Sequence, residues 1–242
     1  KTITDANTDL VIETGKVITK SAGTGTLTLQ AHGRVQNRGT IQATGSGVLN
    51  VVMWSDFDDS NDDGGVSHSG TISSNGGHVW MGGSSSDGGS YTWNGLAVGD
   101  GPSIGTNGFN GNALDLYGSV TTSGGDFLAW AADGPGLNGI AADGNVIVNA
   151  GSGDITLISD QLKGSGAQST KYETTGTFTL APHGGSFPAT FSWDPSASDS
   201  YEFGGDFAYL NIRYIPTLGG LTIGQYSGML DGADPVVLGN TS

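Results

Sequence analysis

Short alternations of apolar and polar residues recur along this chain, and glycine-rich turns separate them. Thr26-Leu27-Thr28-Leu29 and Asp154-Ile155-Thr156-Leu157 alternate with period two, the pattern of a strand that buries one face. Four longer segments share one frame: "GTIQATGSGVLNV" from Gly39, "GTISSNGGHVWMG" from Gly70, "GSVTTSGGDFLAW" from Gly118 and "VIVNAGSGDITLI" from Val146. In each, a β-branched residue (Ile41, Ile72, Val120, Val148) is followed seven positions later by an apolar one (Val48, Val79, Phe127, Ile155). Between them lies a polar turn with glycines at set places, such as Gly76-Gly77 and Gly124-Gly125. Weaker echoes stand at 174–182, "TTGTFTLAP", and at 218–225, "LGGLTIGQ". Asn-Gly pairs at 75, 94, 107, 110 and 138 supply turns with positive φ. No helix of useful length is predicted, and "SDQLKGSGAQ" at 159–168 is broken by its own glycines.

Each unit therefore reads as short strand, glycine turn, short strand, and the chain as all-β. Two architectures fit: a sandwich or meander joined by hairpins, and a right-handed parallel β-helix, a β-solenoid with inserted loops. Similar units at intervals of roughly 20 to 30 residues, interrupted by loops of unequal length, favour the solenoid. About 8 to 10 coils at ~4.8 Å each make a rod of roughly 40 to 50 Å. The expected organisation is an N-terminal strand or cap over 1–23, solenoid repeats over 24–182, and aromatic-rich C-terminal coils, cap or contact region over 183–242.

Composition narrows the partners. Glycine supplies 44 of 242 residues, and only 13% are charged, with 23 acidic against 8 basic residues for a net charge of −15. So few cations disfavour nucleic acid and anionic membrane surfaces. The chain has no cysteine, which excludes disulfides and thiolate metal sites. No apolar run approaches the roughly eighteen residues of a membrane-spanning helix. A start at Lys1 reads as a mature product or an excised piece.

The run "LNVVMWSD…DDGGVSHSGTISSNGGHVWMGG", with "GGDFLAWAAD", "GSGDITLISD" and "GGLTIG" after it, resembles the repeat region of filamentous-haemagglutinin-like bacterial surface proteins. These are two-partner-secreted adhesins and related β-strand-repeat proteins, and the resemblance covers roughly residues 24 to 225. It implies a right-handed β-helical shaft, secreted or held at a bacterial cell surface, that works in adhesion or as matrix. Its implied partners are further copies of itself, or a glycan or protein of a host or matrix.

Parallel β-helices also carry polysaccharide hydrolases and lyases. Asn7-Thr8-Asp9, Asp58-Asp59 and Asp62-Asp63 superficially match the aspartates of pectin-cleaving members. The matching histidine motif and basic substrate clamp are missing, and polar loop aspartates gain no desolvation to raise a pKa. No H-E-x-x-H, P-loop or G-x-S-x-G motif occurs. The expectation is a chain that is not an enzyme. His32, His68, His78 and His183 read as surface or turn residues, with His78 at the turn position that Asp126 and Asp154 hold elsewhere. Trp54, Trp80 and Trp130 lie at or near repeat strands and are expected to stack inside the solenoid. Tyr91 and Trp93, in the inserted "GGSYTWNG", are the candidates for a sugar or partner platform, with structural packing as the alternative. The aromatic run "SWDPSASDSYEFGGDFAYLNIRYIP" is expected to cover a side or an end of the shaft.

The loop "SDFDDSNDDGG" at 55–65 holds the remaining candidate chemistry. Asp59 to Gly64 matches the first half of an EF-hand loop, but Gly70 stands where the bidentate glutamate belongs. An oxygen-only set on a glycine-relaxed turn suits Ca²⁺, and Asp56, Asp58, Asp59, Asn61 and Asp63 are its candidate ligands. A solvated loop is the alternative. The functional expectation is a non-enzymatic structural segment of a secreted adhesin or extracellular fibre, self-assembling end to end. The alternative is a Ca²⁺-assisted carbohydrate-binding module, and after it a polysaccharide hydrolase or lyase.

Overall fold

The computed structural model describes residues 1–5, 9–58, 64–84, 89–104, 112–132, 138–143, 146–160, 162–165, 170–183, 193–194, 200–203, 210–214 and 218–224. Among these residues the chain is all-β, without a helix. The first strands are β1 (Thr2–Asp5), β2 (Leu10–Ile12), β3 (Val17–Ala31), β4 (Val35–Asn37) and β5 (Thr40–Trp54). Then come β6 (Val66–His68), β7 (Thr71–Ser73), β8 (Val79–Gly82), β9 (Ser90–Trp93) and β10 (Leu96–Gly99). The middle of the chain forms β11 (Asn112–Leu116), β12 (Ser119–Thr121), β13 (Phe127–Trp130), β14 (Asn138–Asp143), β15 (Ile147–Gly151) and β16 (Ile155–Ile158). After them are β17 (Leu162–Ser165), β18 (Thr170–Thr174), β19 (Thr177–Ala181), β20 (Trp193–Asp194), β21 (Ser200–Phe203), β22 (Leu210–Tyr214) and β23 (Gly220–Ile223).

Most pairings are parallel, and the large sheet curls like half a barrel. One order of strands repeats. A strand of the smaller sheet (β2, β4, β6, β11, β14, β17) is followed by two strand positions in the larger one. Those two positions are filled by β7 and β8, β12 and β13, β15 and β16, and β18 and β19, while β3 and β5 each span both in one long strand. Each such unit pairs with the next in register. The first position stacks Ile18, Ile41, Ile72, Val120, Val148 and Tyr172. The second stacks Leu27, Val51, Val79, Phe127, Ile155, Phe178 and Leu221. The smaller sheet stacks Leu10, Val35, Val66, Leu114, Ile140 and Leu162. Nearly all of these side chains are buried in one apolar cluster. Period-two alternation is what turns one face of every strand inward, and each fully buried Ile or Leu contributes about 1.5–3 kcal/mol.

The turn joining the two positions is built the same way between β7 and β8 and between β12 and β13. Ser74, Thr122 and Thr174 are buried at its start. The Ser74 and Thr122 hydroxyls donate to the carbonyls of Gly77 and Gly125 in their own turns, and the Thr174 hydroxyl reaches back to the Gly153 carbonyl of the preceding unit. Asn75 and Ser123 have φ of 52° and 58°, a left-handed conformation that short polar residues tolerate. Gly77, Gly125 and Gly153 form a column. A Cβ on Gly125 would fall far inside contact distance of the Gly77 carbonyl, and one on Gly153 would do the same to Gly125. Glycine is thus required here by the neighbouring unit as well as by the turn's own torsions.

The unit from Gly39 departs from the seven-residue spacing. Val79 pairs with Val51, not Val48, and Ile41 and Val51 are ten positions apart. The extra residues run beside β3 as an extended arm, with Gly45 at φ 57°, instead of closing the compact turn. Residues 17–23 are the first half of β3, with Ile18 in register with Ile41. At the other end, β20 and β21 add antiparallel strands to β22, so backbone from the aromatic run extends the sheet beyond β18.

A second apolar cluster lies on the outer face of the large sheet. Val52, Trp54, Trp80, Leu128, Trp130 and Ile158 pack there beneath Trp93, Leu96 and Val98 of the antiparallel hairpin β9–β10. Trp54, Trp80 and Trp130 therefore do not stack inside the units, because alternation sends them to the face opposite Val51, Met53, Val79 and Met81. The register explains the arrangement. Val52, Trp80 and Leu128 pair in one outward column with Thr28, Thr156, Thr179 and Thr222. That column is apolar where the inserted hairpin covers it.

Candidate functional site

The acidic loop begins as a folded corner. Asp56 is 2% exposed with φ 46°, and its N–H donates to the Gly33 carbonyl at 3.1 Å. Phe57 N–H donates to the Ala31 carbonyl at 3.1 Å, and its ring meets His32 edge-on at 4.7 Å. The Asp58 carboxylate contacts His32 Nδ1 through Oδ2, while its Oδ1 is buried with no hydrogen-bond partner among the described residues. The structure thus brings Asp56 and Asp58 to the corner after β5, beside His32. Asp59, Asn61 and Asp63 lie outside the described residues. Among the described residues, no group of three or more histidine or acidic side chains is gathered for a metal ion.

A second polar feature runs along the outside of the turns. Asn50 Oδ1 accepts from the His78 N–H at 2.9 Å, and His78 Nδ1 accepts from the Asp126 N–H at 3.0 Å. Asp126 Oδ1 accepts from Asp154 N–H at 2.8 Å, and Asp154 Oδ1 from Thr177 N–H at 2.7 Å. Each side chain thus satisfies the backbone of its equivalent in the next unit. The carboxylate bonds are charge-assisted, which explains why Asp recurs at this position, and His fits it because its neutral Nδ1 also accepts. Because His78 Nδ1 accepts, its ring proton sits on Nε2, and the 3.5 Å approach of Asp126 Oδ2 to Nδ1 is not a proton-mediated ion pair.

The hairpin is clipped to this column. Asn94, at its tip with φ 48°, donates to Asp126 Oδ2 at 2.6 Å and lies 3.3 Å from His78 Nδ1. Trp93 is 7% exposed and meets the His78 ring edge-on at 5.7 Å. Tyr91 is 40% exposed. The two candidate platform residues therefore differ: Trp93 packs into the outer cluster, and Tyr91 stays partly exposed.

Two titratable groups of the smaller sheet are buried. His68 is 0% exposed, not a surface residue, and burial lowers its pKa to about 4. Its signal was the alternation Val66-Ser67-His68, which places it on the face of Val66. Asp115, in the smaller sheet, is also buried, and desolvation raises its pKa although Asn112 donates to it at 2.7 Å. Among the described residues no helix is long and apolar enough to cross a membrane. No family model, curated protein or solved structure matches the chain.

Proposed function

We propose that the chain is a right-handed parallel β-solenoid and a non-enzymatic structural segment of a secreted bacterial adhesin or extracellular fibre. The observation that carries this reading is the unit-on-unit register. Three parallel ladders, an internal apolar stack and a turn column that bonds each unit to the next provide a shaft with length and stiffness. Strand edges at the two ends of such a stack invite further strands, so copies add end to end. The high acidity keeps the glycine-rich surface solvated, with Ca²⁺ as the cation it would recruit. Negative-stain electron microscopy across a range of calcium concentrations tests the assembly. Filaments are expected, and dispersed particles at every concentration would reject it.

A second reading, a carbohydrate-binding module, is favoured by Tyr91, which stands exposed on the hairpin that carries Asn94 and meets Asp126. A glycan array with and without EDTA separates the two. Selective binding lost on Tyr91→Ala favours the module, and an array without signal favours the shaft.

A further inference from the structure

We propose that His68 is an acid-sensitive joint: protonation of its imidazole breaks a buried cross-link among three successive units and opens the stack locally between Asn37 and Ser119. The cross-link is fully paired in one protonation state. His68 Nε2 lies 3.2 Å from the Ser119 carbonyl, which only accepts, so Nε2 carries the proton. Nδ1 then accepts from Asn37 Nδ2 at 3.1 Å. The Asn37 amide is held in that orientation by its Oδ1, which accepts the Gly39 N–H at 3.1 Å. A proton on Nδ1 would set donor against donor. Turning the Asn37 amide over to meet it would withdraw Oδ1 from Gly39 and set a second donor pair against each other. The imidazolium therefore loses the Asn37 side-chain bond, and only the Ser119 and Asn37 carbonyls favour it against the burial.

The surroundings offer no compensating charge. His68 stands in register with Asn37 on one side and Leu116 on the other, and Asn37 with Ile12 beyond it. A Cβ on Gly118 would lie 2.9 Å from Nε2, so the ring is enclosed by backbone there. Of the charged residues on these elements, Arg38 is half exposed between Gln36 and Glu13, and Asp115 sits on the opposite face of its strand against Asn112. Among the described residues no carboxylate faces the ring. Burial accordingly holds the imidazole neutral down to about pH 4.

The same corner carries backbone bonds between the units. The Asn37 carbonyl accepts from Ser69 at 2.9 Å and Gly70 at 3.0 Å, and the His68 carbonyl accepts from Tyr117 at 2.8 Å and Gly118 at 2.7 Å. These amides report the opening. An open state with an ordinary histidine gains on the closed state as pH falls from 6.5 towards 4. The gain reaches about 30-fold at pH 5.

Hydrogen exchange of the intact chain at pH 7.5 and 5, corrected for intrinsic rates, tests this. Protection at Gly39, Ser69, Gly70, Tyr117 and Gly118 is expected to fall by about 30-fold more than at Val79 or Phe127, and His68→Gln is expected to abolish the difference. Unchanged protection in the native chain, or the same pH dependence in His68→Gln, overturns the proposal. Should the variant fail to fold, the imidazole resonance of His68 in the native chain decides. A flat titration curve to pH 5 is required, and a midpoint near 6.5 rejects the joint.

Discussion

The hydroxyl of Thr122 is buried and donates to the Gly125 carbonyl across the turn, and it also lies 3.3 Å from the Ala150 carbonyl of the next unit. Thr122→Val keeps the shape and removes the donor, so it should cost about 1 kcal/mol in urea unfolding. Asp115 behaves in the opposite sense. Its folded pKa lies above the unfolded value, so the native state is favoured below the unfolded pKa and that advantage is lost as pH rises through the folded one. Asp115→Asn should therefore be more stable than the native chain at pH 7, and the two should converge in acid. Equal stability at pH 7 would mean that Asn112 already offsets the burial. At this scale the sequence was legible where alternation is strict and misleading where residue type overrode it. His68 has the alternation of a core position, but histidine reads as a surface residue until Asn37 and Ser119 are known to meet it.

Among the elements, hairpin β9–β10 and strand β13 differ in what they hold together. Phe127, on the inner face of β13, contacts the central stack and cannot loosen alone. Phe127→Ala should cost about 3–5 kcal/mol of global stability. Trp93 secures only the hairpin to the outer cluster. Trp93→Ala should raise hydrogen exchange in residues 90–99 and expose apolar surface to a reporter dye, with little change in the global unfolding midpoint. Matching global losses for the two would show the hairpin to be part of the same cooperative unit. The strand pairs β7–β8, β12–β13 and β15–β16 were readable from their seven-residue spacing. The long arms of β3 and β5 were not, because a glycine at positive φ serves an extended strand and a compact turn equally well. Nor did the tryptophans reveal which face they occupy. Val52-Met53-Trp54 and Val79-Trp80-Met81 are apolar on both faces, which erases the period-two signal where a hairpin covers the sheet.

Across the whole molecule, charge and register pull in different directions. Five of the eight basic residues lie within the first 38 positions, leaving the remainder strongly acidic. Self-repulsion of that acidic stretch destabilises the compact state, and salt screens it. Raising ionic strength from about 0.01 to 0.15 M should lift Tm by roughly 2–4 °C, equivalent to about 1 kcal/mol in a chain of this size. A falling Tm would instead point to ion pairs as net stabilisers. The repeat itself was legible at this scale. The acidic loop was not, since its residues follow no repeat and the first of them, Asp56, turns back on Gly33.

The column of Gly77, Gly125 and Gly153 has a consequence for how such a chain can change its length. Each glycine lies against a backbone carbonyl of the unit before it, that of Leu49, Gly77 and Gly125 in turn, which a methyl group would strike. Lengthening by tandem duplication therefore needs no new invention at this corner: a copied unit brings its own glycine and fits against the original at once. The copies can then diverge in the loops, at the outward positions and among apolar residues of the inward stacks. The corner is a gauge that every added unit must pass, and it lets the loops vary without disturbing the stack.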